Sequence, residues 1–180
     1  MNTTPFLQII MGPMCSGKST ELIRIIREYK FIEANILVVK HTLDCNRYSN
    51  SHLCTHDHQQ EDCLSLLRLD ELSSNEEFIK ADIIFIEEAQ FFEDLHSFVS
   101  NNLNTKSFVI AGLDGDFKRN PFGDILKLIP LADKVTKLNA LCKFCKDGTE
   151  APFTKRLVNS DEQHLVGGSD SYASVCRKHY

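Results

Sequence analysis

Two short stretches of this 180-residue chain combine side chains suited to holding phosphate and moving a proton. The first, Gly12-Pro13-Met14-Cys15-Ser16-Gly17-Lys18-Ser19, fits the pattern G-x-x-x-x-G-K-[ST]. Its glycines let the backbone curl so that successive N–H groups point inward at phosphate oxygens. A helix that starts here adds the positive end of its dipole. Lys18 can reach the β- and γ-phosphates of a nucleoside triphosphate, and the Ser19 hydroxyl can ligate Mg²⁺. The second stretch is Glu87-Glu88, directly after the apolar run Ile83 to Ile86. In an extended backbone these carboxylates project to opposite sides. One can then face a metal and phosphates while the other faces an acceptor, the division of labour that phosphoryl transfer requires.

A third constellation lies near the C-terminus. Cys142-x₂-Cys145 is followed, 30 residues later, by Cys176-x₂-His179. Two knuckles of two ligands each match a closed, tetrahedral, structural Zn²⁺ site, and the long interval predicts a ribbon or lasso pinned at its base. The chain has seven cysteines. The odd number, with no basic or apolar leader in Met1-Asn2-Thr3-Thr4-Pro5, favours reduced thiols and a cytoplasmic setting. The cluster Cys54-Thr55-His56-Asp57-His58 also offers ligand-type side chains, but they are too crowded for a matched two-knuckle site and read as a polar loop.

These groups need a scaffold, and the hydropathy pattern supplies one. Strands are expected at 7–11, 36–39, 83–86, 108–111 and, more weakly, 134–138. A helix is expected over 19–29, with Leu22, Ile25, Ile26 and Tyr29 on one face. The first four strands are nearly continuously apolar, as strands buried on both faces are. The expected fold is therefore α/β, a P-loop NTPase-like, mostly parallel sheet flanked by helices. Residues 42–61 read as a long polar loop. From about Leu141 long apolar runs disappear, so the chain divides into a phosphate-loop α/β domain over 1–140 and a zinc-binding lasso domain over 141–180, which is too short to build a core without a staple.

Composition limits the alternatives. Apolar residues are 42% and charged residues 25%, an ordinary globular balance. The net charge of −5 disfavours electrostatic nucleic-acid binding. No apolar run approaches the roughly 20 residues that span a bilayer. A nucleic-acid-coupled ATPase and a non-catalytic nucleotide-binding regulator were the competing readings. The charge opposes the first, and the intact Lys18, Ser19 and Glu88 oppose the second.

Taken together, the phosphate loop through Thr20, the Glu87-Glu88-Ala89-Gln90-Phe91-Phe92 stretch and the zinc knuckles resemble the type II thymidine kinases, the cytosolic cellular and poxviral kind. Further matching islands are Arg47-Tyr48-Ser49, Thr55-His56-Asp57, Leu113-Asp114-Gly115, Lys118 to Gly123, Thr154-Lys155-Arg156-Leu157 and Gly167-Gly168. They run in family order over nearly the whole chain. The resemblance implies transfer of the ATP γ-phosphate to the 5′-hydroxyl of thymidine with Mg²⁺, ATP on Gly12 to Thr20, Mg²⁺ at Ser19 and Glu87, and Glu88 as general base. It implies a nucleoside pocket of Met14, Phe91, Leu113, Phe117, Phe122 and Thr154. A lasso through Gln163, His164, Leu165, Val166 and Gly167 would close over the base, with Tyr172 above the nucleoside. It further implies a homotetramer inhibited by dTTP. The chain departs from the family pattern at Glu87 (usually Asp), Cys15 (often Phe), Ala89 (often Gly) and His179 (often Cys).

Overall fold

The computed structural model describes residues 4–43, 52–54, 60–160, 162–163, 165, 167–168 and 170–180. In chain order it contains β1 (Leu7–Met11), α1 (Lys18–Phe31), β2 (Ile36–His41), β3 (His52–Cys54), β4 (Gln60–Asp62), β5 (Leu64–Leu66), α2 (Glu76–Lys80), β6 (Ile83–Glu87), α3 (Leu95–Asn102), β7 (Ser107–Gly112), β8 (Lys134–Lys137), β9 (Ala140–Leu141), β10 (Glu150–Ala151), β11 (Phe153–Arg156) and β12 (Tyr172–Val175). Short 3-10 turns occupy Leu69–Ser74, Ala89–Phe91 and Ile125–Leu131.

Six strands form the central sheet in the order β5-β2-β6-β7-β1-β8. Among the described residues every pairing in it is parallel. The strands expected from hydropathy are all present, and α1 extends the expected helix at both ends. Alternate residues of each central strand feed two different cores, because side chains alternate across a strand. Ile10, Val38, Phe85, Val109 and Ala111 pack under Leu22, Ile23, Ile25 and Ile26 of α1. Ile9, Val39, Ile86 and Ile110 pack on the other face with Leu95, Phe98 and Val99 of α3 and with Ile125 and Leu128. Phe85, Phe98 and Phe108 are buried core residues. Each such burial contributes about 1.5–3 kcal/mol before conformational entropy is counted.

Two expectations need correction. The polar interval 42–61 is not loop throughout. Its described ends form the antiparallel pair β3–β4, and Leu53 is fully buried against the α1 side of the sheet. Arg47-Tyr48-Ser49 and Thr55 to His58 lie outside the described residues. Glu88 also does not continue the strand: β6 ends at Glu87, and Glu88 turns into the left-handed region at φ 50°, ψ 42°.

Beyond β8 the pattern changes. β9 pairs with β10 and β11 with β12, both antiparallel, in two-stranded sheets. A third small core forms from Ala140, Cys142, Ala151, Ala173, Val175 and Cys176. No helix among the described residues is long and apolar enough to cross a membrane.

Candidate active site

Because the sheet is parallel, the C-terminal ends of its strands share one edge, where ligands of such sheets bind. β1 runs into the Gly12–Ser19 loop, β6 ends at Glu87 and β7 leads into Leu113. Gly12 is required there. Its φ is +152°, and a Cβ would stand 2.3 Å from the Leu138 carbonyl oxygen. Leu138 in turn donates its N–H to the Met11 carbonyl at 2.8 Å, continuing the β8 edge along the loop.

The loop is built to receive an anion. Gly17 opens α1 in a left-handed conformation with no side-chain cap, so the first helical N–H groups retain their partial positive charge. The Ser16 hydroxyl is buried with no hydrogen-bond partner among the described residues. The Lys18 side chain is buried and donates to the Pro13 carbonyl at 2.8 Å, which holds its ammonium over the loop. The Ser19 hydroxyl donates to Glu87 Oε1 at 2.5 Å, and Glu87 is buried. The hydroxyl and the carboxylate make an all-oxygen donor pair, the chemistry that suits a hard divalent cation. Glu87 is thus buried beside the phosphate loop and not a solvated surface carboxylate.

Glu88 is oriented separately. Its Oε2 accepts from Gln90 Nε2 at 2.5 Å, and Gln90 Oε1 accepts from the Leu113 N–H at 2.9 Å. The next residue, Phe91, meets Phe122 edge-on at 5.6 Å. Phe122 is itself buried, although it lies in a segment rich in Gly, Asp and Pro.

The remaining expected pocket residues lie in the C-terminal lobe or, like Met14 and Phe117, against it. Thr154 of β11 accepts the Met14 N–H at 2.9 Å, and Ser174 of β12 donates to the Met14 carbonyl at 2.6 Å, so both stem strands grip the phosphate loop. Arg156 is the centre of the segment that joins β11 to β12. It donates to the Ser160 carbonyl at 2.9 Å, the Glu162 carbonyl at 2.5 Å, the Gln163 carbonyl at 3.2 Å and the Tyr172 hydroxyl at 2.8 Å. Its guanidinium lies 3.7 Å from the centre of the Phe117 ring. The Tyr172 hydroxyl donates in turn to the Leu165 carbonyl at 2.9 Å, and Gln163 Nε2 donates to Asp116 Oδ2 at 3.0 Å. Gly167 packs at the turn into β12, where a Cβ would collide with Ser171. His164 and Val166 lie outside the described residues.

Sequence reasoning gave no role to Arg156, Gln90 or Asp116, though the first two sit inside quoted motifs. Both lie among other charged or polar residues, Glu87-Glu88 and Thr154-Lys155, so nothing in the local sequence singles them out.

Cys142, Cys145, Cys176 and His179 form the one cluster of metal-type ligands found among the described residues. His179 Nδ1 lies 3.5, 3.3 and 3.4 Å from the sulfurs of Cys142, Cys145 and Cys176, and the sulfurs of Cys145 and Cys176 are 3.7 Å apart. Zn–S bonds of about 2.3 Å place tetrahedral S···S edges near 3.75 Å, so the cluster is compatible with zinc. Burial opposes ionisation of Cys142, but N–H groups of Cys176, Cys145 and Phe144 and then the His179 ring outweigh it and bring the thiol down to about 6. Burial first, then the thiols of Cys142 and Cys176, push Cys145 up to about 11. A dication at the centre would favour the thiolate form of all three.

Comparison with known proteins bears on this geometry. A family profile described as thymidine kinase matches residues 5–180. The thymidine kinase of Sheeppox virus (strain KS-1) is 46% identical over 176 residues, covering 97% of this chain and 96% of its own. The thymidine kinase of Vaccinia virus (strain Ankara) is 44% identical over 176 residues, covering 97% and 96%. The cytosolic thymidine kinase of Homo sapiens is 43% identical over 175 residues, covering 97% of this chain and 72% of its own. With a phosphate loop, a split carboxylate pair and a full-length family match, this chain belongs to the thymidine kinase family.

Proposed function

We propose that this chain is an ATP:thymidine 5′-phosphotransferase that makes dTMP. The observation that carries the reading is the division of Glu87 and Glu88 at the end of β6. Glu87 is hydrogen-bonded to the phosphate loop through Ser19, whereas Glu88 is turned by its left-handed backbone and held by Gln90. ATP lies along Gly12 to Thr20, with its phosphates over the Ser16 hydroxyl, Lys18 and the N-terminus of α1. Ser19 and Glu87 would hold Mg²⁺, which when bound neutralises charge on the phosphates. The longer Glu87, in place of the usual Asp, suits either direct or water-bridged ligation.

The thymine ring occupies the space bounded by Met14, Phe91, Leu113, Phe117, Phe122 and Thr154. Flat aromatic walls suit a base, and the methyl group gains about 1–3 kcal/mol from a matched apolar contact. The segment Gln163 to Gly167, His164 and Val166 included, supplies backbone groups to the pyrimidine edge, and Tyr172 supports it from behind. Glu88 accepts the proton of the 5′-hydroxyl as that oxygen bonds to the γ-phosphorus and the bond to the β,γ-bridging oxygen breaks, releasing ADP. Lys18 stabilises the charge that develops on the transferred group.

The chain works as two domains, residues 1–140 and 141–180. In the second, Cys142, Cys145, Cys176 and His179 would hold a structural Zn²⁺, four protein ligands that would leave no position for substrate. A cytoplasmic homotetramer with dTTP as end-product inhibitor completes the reading, on the family resemblance.

Glu88→Gln tests the assignment. Turnover of thymidine is expected to fall about 10²–10⁴-fold, with ATP affinity measured by calorimetry unchanged. Wild-type turnover in that variant would remove the base from Glu88.

A further inference from the structure

We infer that Gln90 is a positioning residue that sets the orientation of the Glu88 carboxylate. The inference rests on Glu88 acting as the base. Gln90 is only 3% exposed and makes two directional hydrogen bonds with opposite ends of its amide. Leu113 contributes a backbone N–H, which can only donate, so the amide end facing it must be Oε1. That leaves Nε2 as the end aimed at Glu88 Oε2. The amide therefore cannot flip without placing two donors face to face at Leu113 and two acceptors face to face at Glu88.

The surroundings enforce this arrangement. A Cβ at Gly112 would stand 2.7 Å from Gln90 Oε1 and 3.1 Å from the Ile125 side chain. The amide thus fills a slot at the end of β7 that exists only because residue 112 carries no side chain. Glu88 needs such a guide, because its left-handed backbone takes it out of the sheet and no helix or strand fixes its side chain. With Oε2 engaged by Gln90, Oε1 is the oxygen left to meet the acceptor hydroxyl. The same amide joins Glu88 to Leu113, a wall of the proposed thymine site, so base and pocket are registered to each other through one side chain. Gln90 itself touches no substrate in this arrangement and acts through Glu88.

A mutant cycle on the full chain tests the role. Gln90→Met keeps the side-chain length and removes the donor. Its kcat is expected to fall about a hundredfold, the cost of roughly 1 Å of misplacement at a reacting group, while KM for ATP stays at the wild-type value. In the Glu88→Gln background, followed by single-turnover product formation, Gln90→Met is expected to cause no further loss. Wild-type kcat in Gln90→Met would overturn the inference. So would a double variant slower than Glu88→Gln by the full single-variant factor, since that independence marks a purely structural role. If Gln90→Met does not give a cooperative melting transition, Gln90→Glu replaces it. That side chain keeps an acceptor for Leu113 but sets a like charge against Glu88, and the same pattern is expected. Wild-type turnover in Glu88→Gln would instead overturn the base assignment, a result distinct from an inactive Glu88→Gln beside an active Gln90→Met.

Discussion

β7 buries all six of its residues between two hydrophobic layers, whereas the lobe after Ala140 buries a core of six residues, two of which are cysteines. The sheet region is held by apolar area on both faces. The lobe is held by directed contacts: four converging ligands, the Arg156 fan of hydrogen bonds, and Tyr180 donating to the Phe117 carbonyl at 2.6 Å. Non-directional burial tolerates repacking, while directed contacts fail when one partner is lost. The two regions also divide the proposed chemistry. The sheet edge presents the phosphate loop and carboxylates, and the lobe supplies the cover over the nucleoside.

The largest expected effect that separates the regions is disruption of the proposed zinc site. Cys176→Ser, or a zinc chelator, should unfold the lobe, since metal binding in so small a unit is most of its folding free energy, about 10–16 kcal/mol in isolated zinc modules. Thymidine phosphorylation should vanish while the helical far-UV signal of the sheet region persists. Simultaneous loss of both signals would mean that the regions do not fold separately. Phe85→Ala attacks the other side. A cavity of that size should cost about 3–5 kcal/mol of global stability by denaturant titration, with kcat per folded molecule unchanged. A selective loss of activity would refute the contrast.

Arg156→Met comes next. It leaves three backbone carbonyls and the Tyr172 hydroxyl without their shared donor. KM for thymidine should rise about tenfold or more with little change in KM for ATP. Equal effects on both substrates would place Arg156 in the phosphate site instead. Smallest is Thr154→Val, which removes the acceptor of the Met14 N–H at the seam of the two regions. About 1 kcal/mol of stability and a few-fold loss in kcat/KM are expected. Full additivity with Ser174→Ala would show that the two stem strands hold the loop independently.

How legible this was depended on how local the cause was. The phosphate loop, the strands read at 7–11, 36–39, 83–86 and 108–111, and the two knuckles follow from spacing within a few residues. The short helices α2 and α3 were not read, because helices of five and eight residues carry too few turns for a periodic signal. The pair β3–β4 was missed because its strands are three residues each and much of the segment is polar.

By itself, then, the sequence determined the parallel sheet, the G-x-x-x-x-G-K-[ST] turn and the Cys/His cluster, since hydrophobic patterning and ligand-type spacing are encoded one segment at a time. Only the tertiary structure decided that Glu88 leaves the strand left-handed, that Phe122 is buried against Phe91, and which partners Gln90 and Arg156 take. Those outcomes depend on groups brought together from distant segments, such as Gln90 and Leu113, 23 residues apart, or Met14 and Ser174, 160 apart. A hydrogen bond is specified by the position and direction of both partners, and no pattern within one segment contains the second.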